Sequence, residues 1–304
     1  MTSIAILSTD RLPKFLGKDH PNEDSLFAED DRLAEAFAAR GAAARRIAWR
    51  DKTPSWRDFD LVLIRSTWDY IDHCQSFLAV LREIEDSGCR LFNPLTTVRW
   101  NLSKSYLGAL AAQGLPVVPT QFLCPKTAVR GEPPLIPDFA KGYVVKPLVG
   151  VGGFGTERVL SLDDLGGALE KRRQEDQVII QPFLPSIQEE GEWSFVFGSG
   201  RFLYAALKRP KDGDFRVQVM YGAHTSAQSP QPSDLAAAQN CFRALPVPVC
   251  LARMDLARMP DGHLALMEAE LIEPQLYLHD LPHAADLLAD AVLETLRSQS
   301  ATSP

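Results

Sequence analysis

No stretch of this chain approaches the roughly 18 consecutive apolar residues of a membrane-spanning helix, so no membrane partner is expected. Positive charge is also in short supply. Lysine and arginine number 32 against 39 acidic residues, and the formal charge of −7 argues against nucleic acid as a partner while leaving room for a local basic pocket. Cysteine is sparse, five in 304 residues with no C-x-x-C pair. Cys74, Cys89, Cys124, Cys241 and Cys250 are therefore expected to be reduced, structural thiols of a cytoplasmic protein. The start, Met1 to Leu7, is too short and uncharged for a signal peptide and reads as a first strand. Internal repeats, low-complexity tracts and a convincing Ser/His/Asp set are missing too. What remains is an ordinary globular composition, 45% hydrophobic and 23% charged, long enough for two or three domains or lobes.

The strongest local pattern is Tyr143-Val144-Val145-Lys146-Pro147, an apolar run that ends in a lysine and opens into a loop with four glycines in six residues, 150 to 155. Glycine lets backbone N–H groups approach an anion at positive φ, and the lysine adds a point charge, which is phosphate-binding chemistry. Gly150-x-Gly152-x-x-Gly155 also matches the dinucleotide fingerprint, but that motif needs a helix to start at once. Here Glu157 to Leu162 alternates like a strand, so the loop is a flap between two strands. A P-loop is excluded because the lysine precedes the glycines.

Up to about residue 100, short apolar strands alternate with amphipathic helices: Ile4–Leu7, a helix through Leu33, Ala36 and Phe37 closed by Gly41, and the apolar run Leu61–Ile64. That run ends in Arg65-Ser66-Thr67-Trp68-Asp69-Tyr70. Such a cluster at the carboxyl end of a strand suits a substrate site, and equally a capped loop with a packed tryptophan. A helix over 75–86 and the short strand Leu91-Phe92 follow. Asn101-Leu102-Ser103-Lys104 is expected to open a helix ending near Gly114, and Val178–Phe183 to feed a hinge. Beyond 185 the text turns antiparallel, with strands at Trp193–Phe197, Phe202–Lys208, Phe215–Val219, Val249–Arg258 and His263–Glu273. A helix over 233–244 and a last one over 282–297 complete the chain, and the Ser/Thr/Pro tail is expected to be disordered.

The second strong pattern is Leu264 to Leu271, where Glu268 and Glu270 share one strand face. A two-residue turn at Asp261-Gly262 places Asp255 opposite Glu268, with directly opposed Cβ atoms about 5 Å apart. Three carboxylates beside apolar neighbours call for a cation, and an all-oxygen set selects Mg²⁺. A solvated acidic edge strand is the alternative. Glu273-Pro274 reads as the end of the strand. Lys208 and Arg216, on neighbouring strands, are surface charges taken singly; beside a flap and a carboxylate trio they suit clamps for phosphate or carboxylate.

This order of lysine, lysine, glycine flap, hinge, Asp and Glu-x-Glu resembles the ATP-grasp superfamily over nearly the whole chain. The resemblance implies an α/β fold in three parts: a Rossmann-like domain over 1–100, a small lid over 101–184, and a larger antiparallel domain over 185–304. It implies ATP and Mg²⁺, with Mn²⁺ as an alternative, bound between the last two. Lys104 and Lys146 are similar to the nucleotide-contacting lysines, and Gly152, Gly153, Phe154 and Gly155 to the phosphate flap. Gln181, Phe183 and Leu184 are similar to the adenine hinge, where many members carry an acid at the first position, and Glu189 or Glu190 to the ribose contact. Asp255, Glu268 and Glu270 resemble the metal ligands, although many relatives have Asn in place of Glu270. Lys146, Arg216 and Lys208 are implied in catalysis. Arg65–Tyr70, Asn93-Pro94 with Val98–Asn101, Gly191-Glu192-Trp193-Ser194 and Gly213–Arg216 resemble the cyclo-ligase subgroup of cycloserine biosynthesis. Similarity extends to glutathione-synthesising and ribosomal-protein-modifying ligases. Glu192, Ser194 and the Arg65–Tyr70 cluster are then the expected substrate contacts.

The expected activity is an ATP-dependent ligase that makes an acylphosphate and passes it to a nitrogen, within one amino-acid-like small molecule or between two. A nucleotide-binding protein without turnover is the competing class, and a homo-oligomer is left open.

Overall fold

The computed structural model describes residues 1–11, 27–129, 131–137, 141–281 and 283–300. Uninterrupted aliphatic runs at the amino end make a parallel sheet, since strands covered on both faces have no solvent side to keep polar. Its strands are β1 (Ser3–Ser8), β2 (Ala43–Ala48), β3 (Leu61–Ile64) and β4 (Arg90–Phe92), in the order β2-β1-β3-β4. Helix α1 (Ala28–Ala38) packs Leu33 and Phe37 against Ile4, Leu61 and Leu63 on one face. On the other, α2 (Cys74–Asp86) and α3 (Leu95–Asn101) pack Phe77, Leu81 and Val98 against Leu7, Val62 and Ile64. The Arg65–Tyr70 cluster thus follows the carboxyl end of a central strand.

Asp30, in the first turn of α1, is fully buried 3.9 Å from the Arg65 guanidinium. Burial pushes its carboxyl up to about 6 from 3.8, outweighing the pull of Arg65. Its folded pKa lies above its unfolded one, so the native state holds the extra proton and loses stability as pH rises from about 4 to about 6. Asp30→Asn should therefore raise Tm above about pH 6, by up to about 3 kcal/mol of stability, and change little below about pH 4. Thermal melts at both pH values check this; equal shifts would reject it.

The carboxyl half is a five-stranded antiparallel sheet. Strands β9 (Glu192–Gly198), β10 (Arg201–Arg209), β11 (His224–Ala227), β12 (Leu251–Arg258) and β13 (Leu264–Glu270) run in the order β11-β10-β9-β12-β13. Ser199 and Gly200 turn β9 into β10 with φ of 52° and 77°, the mirror-image turn that matches strand twist. The helices α4 (Tyr106–Ala112) and α7 (Pro232–Arg243) cover this sheet, with Leu107, Leu110 and Cys241 packed among Phe195, Phe197 and Met254. Helix α8 (Ala284–Ser300) is wedged between the two sheets through Leu288, Val292 and Leu296, which join the same core as α1, Val196 and Ala206. A third sheet, β5-β8-β6-β7, comprises β5 (Gln121–Leu123), β6 (Tyr143–Pro147), β7 (Glu157–Val159) and β8 (Val178–Pro182). It has its own small core with α5 (Leu162–Lys171), whose Ser161 cap accepts the Asp164 N–H at 3.1 Å. A short helix, α6 (Ser186–Glu189), follows β8.

Three expectations need correction. Phe215–Val219 is not a strand. The N–H groups of Phe215 and Arg216 both donate to Asp214 Oδ1, at 2.7 and 3.0 Å, and that local capture competes with a strand ladder. The strand beside β10 is His224–Ala227, and Arg216 rides on a loop. The helix expected from Asn101 begins only at Tyr106, because the Lys104 N–H is drawn to Leu148 O at 2.9 Å; Lys104 lies in the gap after α3. The β12–β13 turn has three residues between Met259 and His263, with Gly262 at φ 90°, and a bulge between Asp255 and Leu256 restores the register. Asp255 does face Glu268, through two offsets that cancel. The tail beyond Ser300 lies outside the described residues.

Candidate active site

The third sheet lies over the antiparallel one, and the cleft between them reaches the carboxyl end of β3. Its floor is one face of β10-β9-β12-β13. Lys208 pairs with Glu192, Ser194 with Asp255, Asp255 with Glu268, and Arg253 with Glu270, all cross-strand neighbours. Period-two alternation brings them to that face, and opposed charges there are neighbours by construction.

Every carboxylate on the floor is paired with a cation, and Lys208 and Arg253 each serve two. Glu268 meets Lys104 Nζ at 2.6 Å, and Lys104 also donates to Gly150 O at 3.0 Å, joining the floor to the base of the flap. Asp255 takes Arg253 Nη2 at 2.8 Å, Ser194 Oγ at 2.6 Å and Lys208 Nζ at 3.2 Å. Burial alone would raise its carboxyl; Arg253 and Lys208 reverse that and hold it near 2. Glu192 pairs with Lys208, and Glu270 with Arg253. Burial pushes Glu270 up to about 7 against the pull of Arg253, with Glu268 and Asp255 adding to the rise.

Lys146 differs. It is buried on β6, and among the described residues no carboxylate lies within 4.0 Å of it. Burial lowers its pKa, with the field of Glu268 opposing. Beyond it the flap carries Gly152, Gly153 and Gly155 at φ of 60°, 71° and 71°. A Cβ on Gly153 would lie 2.6 Å from Gln218 Oε1, so the backbone and that side chain fill each other's space. Phe154 is half exposed in the cleft wall. Arg216 is held flat by Asp214 at 2.8 Å and lies over the Tyr221 ring at 3.7 Å.

Of the hinge residues, Gln181, Phe183 and Leu184 line the cleft. Gln181 Nε2 donates to Thr120 Oγ1 at 2.9 Å, and the Phe183 N–H is taken by Gly142 O at 2.9 Å. Arg158 covers the Phe183 ring at 3.4 Å and Phe215 meets its edge. The ribose expectation fares worse. Neither Glu189 nor Glu190 is in the cleft wall; Glu190 turns to Arg258 at 2.8 Å, which Asp234 also holds. From the β3 cluster, Arg65, Ser66, Trp68 and Tyr70 face the cleft. Thr67 and Asp69 do not, and Asp69 instead accepts Trp49 Nε1 at 2.8 Å and pairs with Arg50. Ser194 and Gly155 lie behind the wall, Ser194 holding Asp255.

Sequence reasoning missed the residues that fix β13. Asn101 bridges Ala269 O and the Leu271 N–H, at 2.8 and 2.9 Å, and the Tyr106 hydroxyl bonds both polar groups of Ala269 at 3.0 Å. The acidic edge is therefore covered rather than solvated. Arg253 was missed too, although its place two residues before Asp255 on one strand face is a legible signal.

An unpaired buried ammonium beside a glycine cradle fits a polyphosphate. The all-oxygen donor set fits a hard divalent cation at Glu268 and Glu270, where a positive charge would relieve the carboxyl pushed up to about 7. Among the described residues no three such side chains converge as a ready cage, and each acid is drawn to a cation. The four hydrogen-bonding positions of Asp255 are filled by protein donors.

Comparison with known proteins agrees with this geometry. The family described as D-cycloserine synthetase DcsG, N-terminal domain, matches residues 4–93, and that described as prokaryotic glutathione synthetase, ATP-grasp domain, matches residues 115–248. The cycloserine biosynthesis protein DcsG of Streptomyces lavendulae is 32% identical over 280 residues, covering 87% of this chain and 93% of that protein. The crystal structure of D-cycloserine synthetase DcsG superposes with a TM-score of 0.79 at 28% identity, over 97% of this chain and 99% of that one. An ATP-complexed D-alanine–D-alanine ligase of Bacillus anthracis shares the fold, with a TM-score of 0.71 at 17% identity over the whole of both chains.

Proposed function

This chain belongs to the DcsG family of ATP-grasp ligases, and from that premise we propose that it closes a ring within one small molecule, a carboxylic acid bearing a ureido nitrogen. It is an ATP-dependent, C–N bond-forming ligase that acts on small molecules and uses a divalent metal. The observation that supports phosphoryl transfer in this cleft is Lys146, a buried cation without an ion pair among the described residues, set between the glycine flap and the Glu268–Glu270 floor. The DcsG likeness supports the intramolecular form.

In this reading a substrate carboxylate oxygen attacks the γ-phosphorus of ATP and the bond to ADP breaks. The nitrogen of the same molecule then attacks the acyl carbon, phosphate leaves and the nitrogen gives up its proton. Lys146 and the flap N–H groups hold the transferred phosphoryl group, and Arg216, aligned by Asp214, faces the acyl oxygen. Lys104, tied to Gly150, seats the flap, which keeps water from the acylphosphate. Adenine is read at Leu184, whose N–H, unlike that of Phe183, makes no backbone hydrogen bond among the described residues. A divalent cation at Glu268 and Glu270, Mg²⁺ or in its place Mn²⁺, would neutralise phosphate charge, with Asp255 joining only on giving up one of its present donors.

The test is ADP release with Mg²⁺, with and without EDTA, across amino-acid and ureido substrates. O-ureido-D-serine alone should support turnover, and EDTA should abolish it. Turnover that needs a second amine would replace the cyclising reading with an intermolecular ligase. Turnover undiminished by EDTA would remove the metal from Glu268 and Glu270.

A further inference from the structure

We propose that Glu273, three residues beyond β13, receives the protonated amino group of the substrate and so sets which acids the enzyme accepts; the proposal rests on reading the cleft as a ligase site. Glu273 lies in the cleft wall, on the side formed by Arg65 and Tyr70. The other buried or half-buried acids of that wall are all matched. Glu29 meets Arg65 at 3.0 Å, Glu192 and Asp255 share Lys208, Glu268 has Lys104 and Glu270 has Arg253. Asp280 is solvent-exposed, where a charge needs no partner. Glu273 has no cation within 4.0 Å among the described residues, and the Tyr70 hydroxyl is its polar neighbour.

The two cations whose field reaches Glu273 are committed elsewhere. Arg65 donates to Pro274 O at 2.6 Å and to Glu29, and Lys104 to Glu268 and Gly150 O. The surroundings also hold Glu273 in place. Tyr70 is buried and stacked on Phe77 at 5.0 Å, which fixes its hydroxyl, while Pro274 and its bond from Arg65 pin the backbone next to the carboxylate. A preset carboxylate without a counter-ion in a closed cleft is unfavourable for the empty protein, and its carboxyl is pushed up to about 8 by burial first and by Glu270 second. A ligand ammonium supplies the missing charge. The position agrees, since Tyr70 and Arg65 follow the carboxyl end of a parallel strand, where open α/β sheets receive small ligands.

The logic mirrors that of Lys146. Among the described residues one unpaired lysine in the cleft awaits phosphate, and one unpaired carboxyl awaits an amine.

Two measurements test the assignment. The first needs no substrate. A carboxylate kept for a ligand should be dispensable for folding, so the Tm of Glu273→Gln at neutral pH should equal or exceed that of the parent. Glu29→Gln is the comparison, because its amide nitrogen must face a donor whichever way it turns, the Leu278 N–H on one side or Arg65 and the Leu276 N–H on the other, and its Tm should fall. A comparable fall in Glu273→Gln would make the residue structural and overturn the proposal. The second is ADP release with O-ureido-D-serine and the same molecule lacking its amino group. Glu273→Gln should raise KM for the amino substrate about 100-fold, with KM for ATP and for Mg²⁺ within about threefold of the parent, and Glu273→Asp should fall between. The parent should discriminate against the des-amino molecule and Glu273→Gln should not. Equal discrimination by both proteins, or a rise confined to Mg²⁺, would overturn the proposal. Should the parent release no ADP with any carboxylate, the ligase reading of this site fails, and the Tm comparison still decides whether Glu273 is structural.

Discussion

Lys146→Ala is expected to lower ATP turnover by about three orders of magnitude while leaving the melting temperature unchanged or higher. The two halves of that result come from one fact. An ammonium taken out of water without a counter-ion costs stability, and burial already lowers the Lys146 pKa. Removing it relieves the empty protein and deprives a developing phosphoryl charge of its nearest fixed cation, a kind of stabilisation whose loss costs about 10²–10³ in rate for a single donor. Steady-state ADP release and a thermal melt on the same sample check it. Wild-type turnover would remove Lys146 from the phosphate site; a large fall in Tm would show that it is a structural cation.

Lys208→Met is expected to behave oppositely, losing about 3–5 kcal/mol of stability along with activity. Lys208 is buried on β10 between Glu192 and Asp255, which raise its pKa although burial alone would lower it. Methionine fills similar space but leaves Glu192, itself buried, without its cation, while Asp255 keeps Arg253. Adding Glu192→Gln should recover much of the loss, since removing both partners is milder than stranding one. Urea unfolding of the single and double variants measures the coupling. A single variant as stable as the parent would mean that water reaches the pair and screens it.

The sequence set these two lysines apart for the wrong reason, Lys146 by the glycines beside it and Lys208 as a surface charge taken singly, and that marks what a sequence can and cannot show. Short-range patterns were legible. The lysine, the glycines and the alternation after them placed a flap between strands, and a period of two placed Glu268 and Glu270 on one face. Partners from distant segments were not. Lys208 meets Asp255 across three strands, and Asn101 closes an edge 168 residues away. Proximity along the chain also misled. Glu189 and Glu190 are the first acids after the hinge, but α6 and the pull of Arg258 turn Glu190 away from the cleft. The alternation of Phe215, Val217 and Val219 suggested a strand, yet one aspartate carboxylate captured the N–H groups that a ladder would have used.

The hairpin joining β12 to β13 has a consequence for how this scaffold tolerates insertions and deletions. Its three-residue tip and the bulge at Asp255 are offsets of one residue each in opposite senses. Removing the bulge while keeping the tip would pair Asp255 with Met267, slide the outer half of β13 by one position and turn Glu268 and Glu270 to the far face. A tip shortened to two residues can still keep Met259 opposite His263, so a length change there is tolerable while the bulge stays. The irregularity inside the strand pair, rather than its loop, acts as the ruler for the acids on the cleft floor.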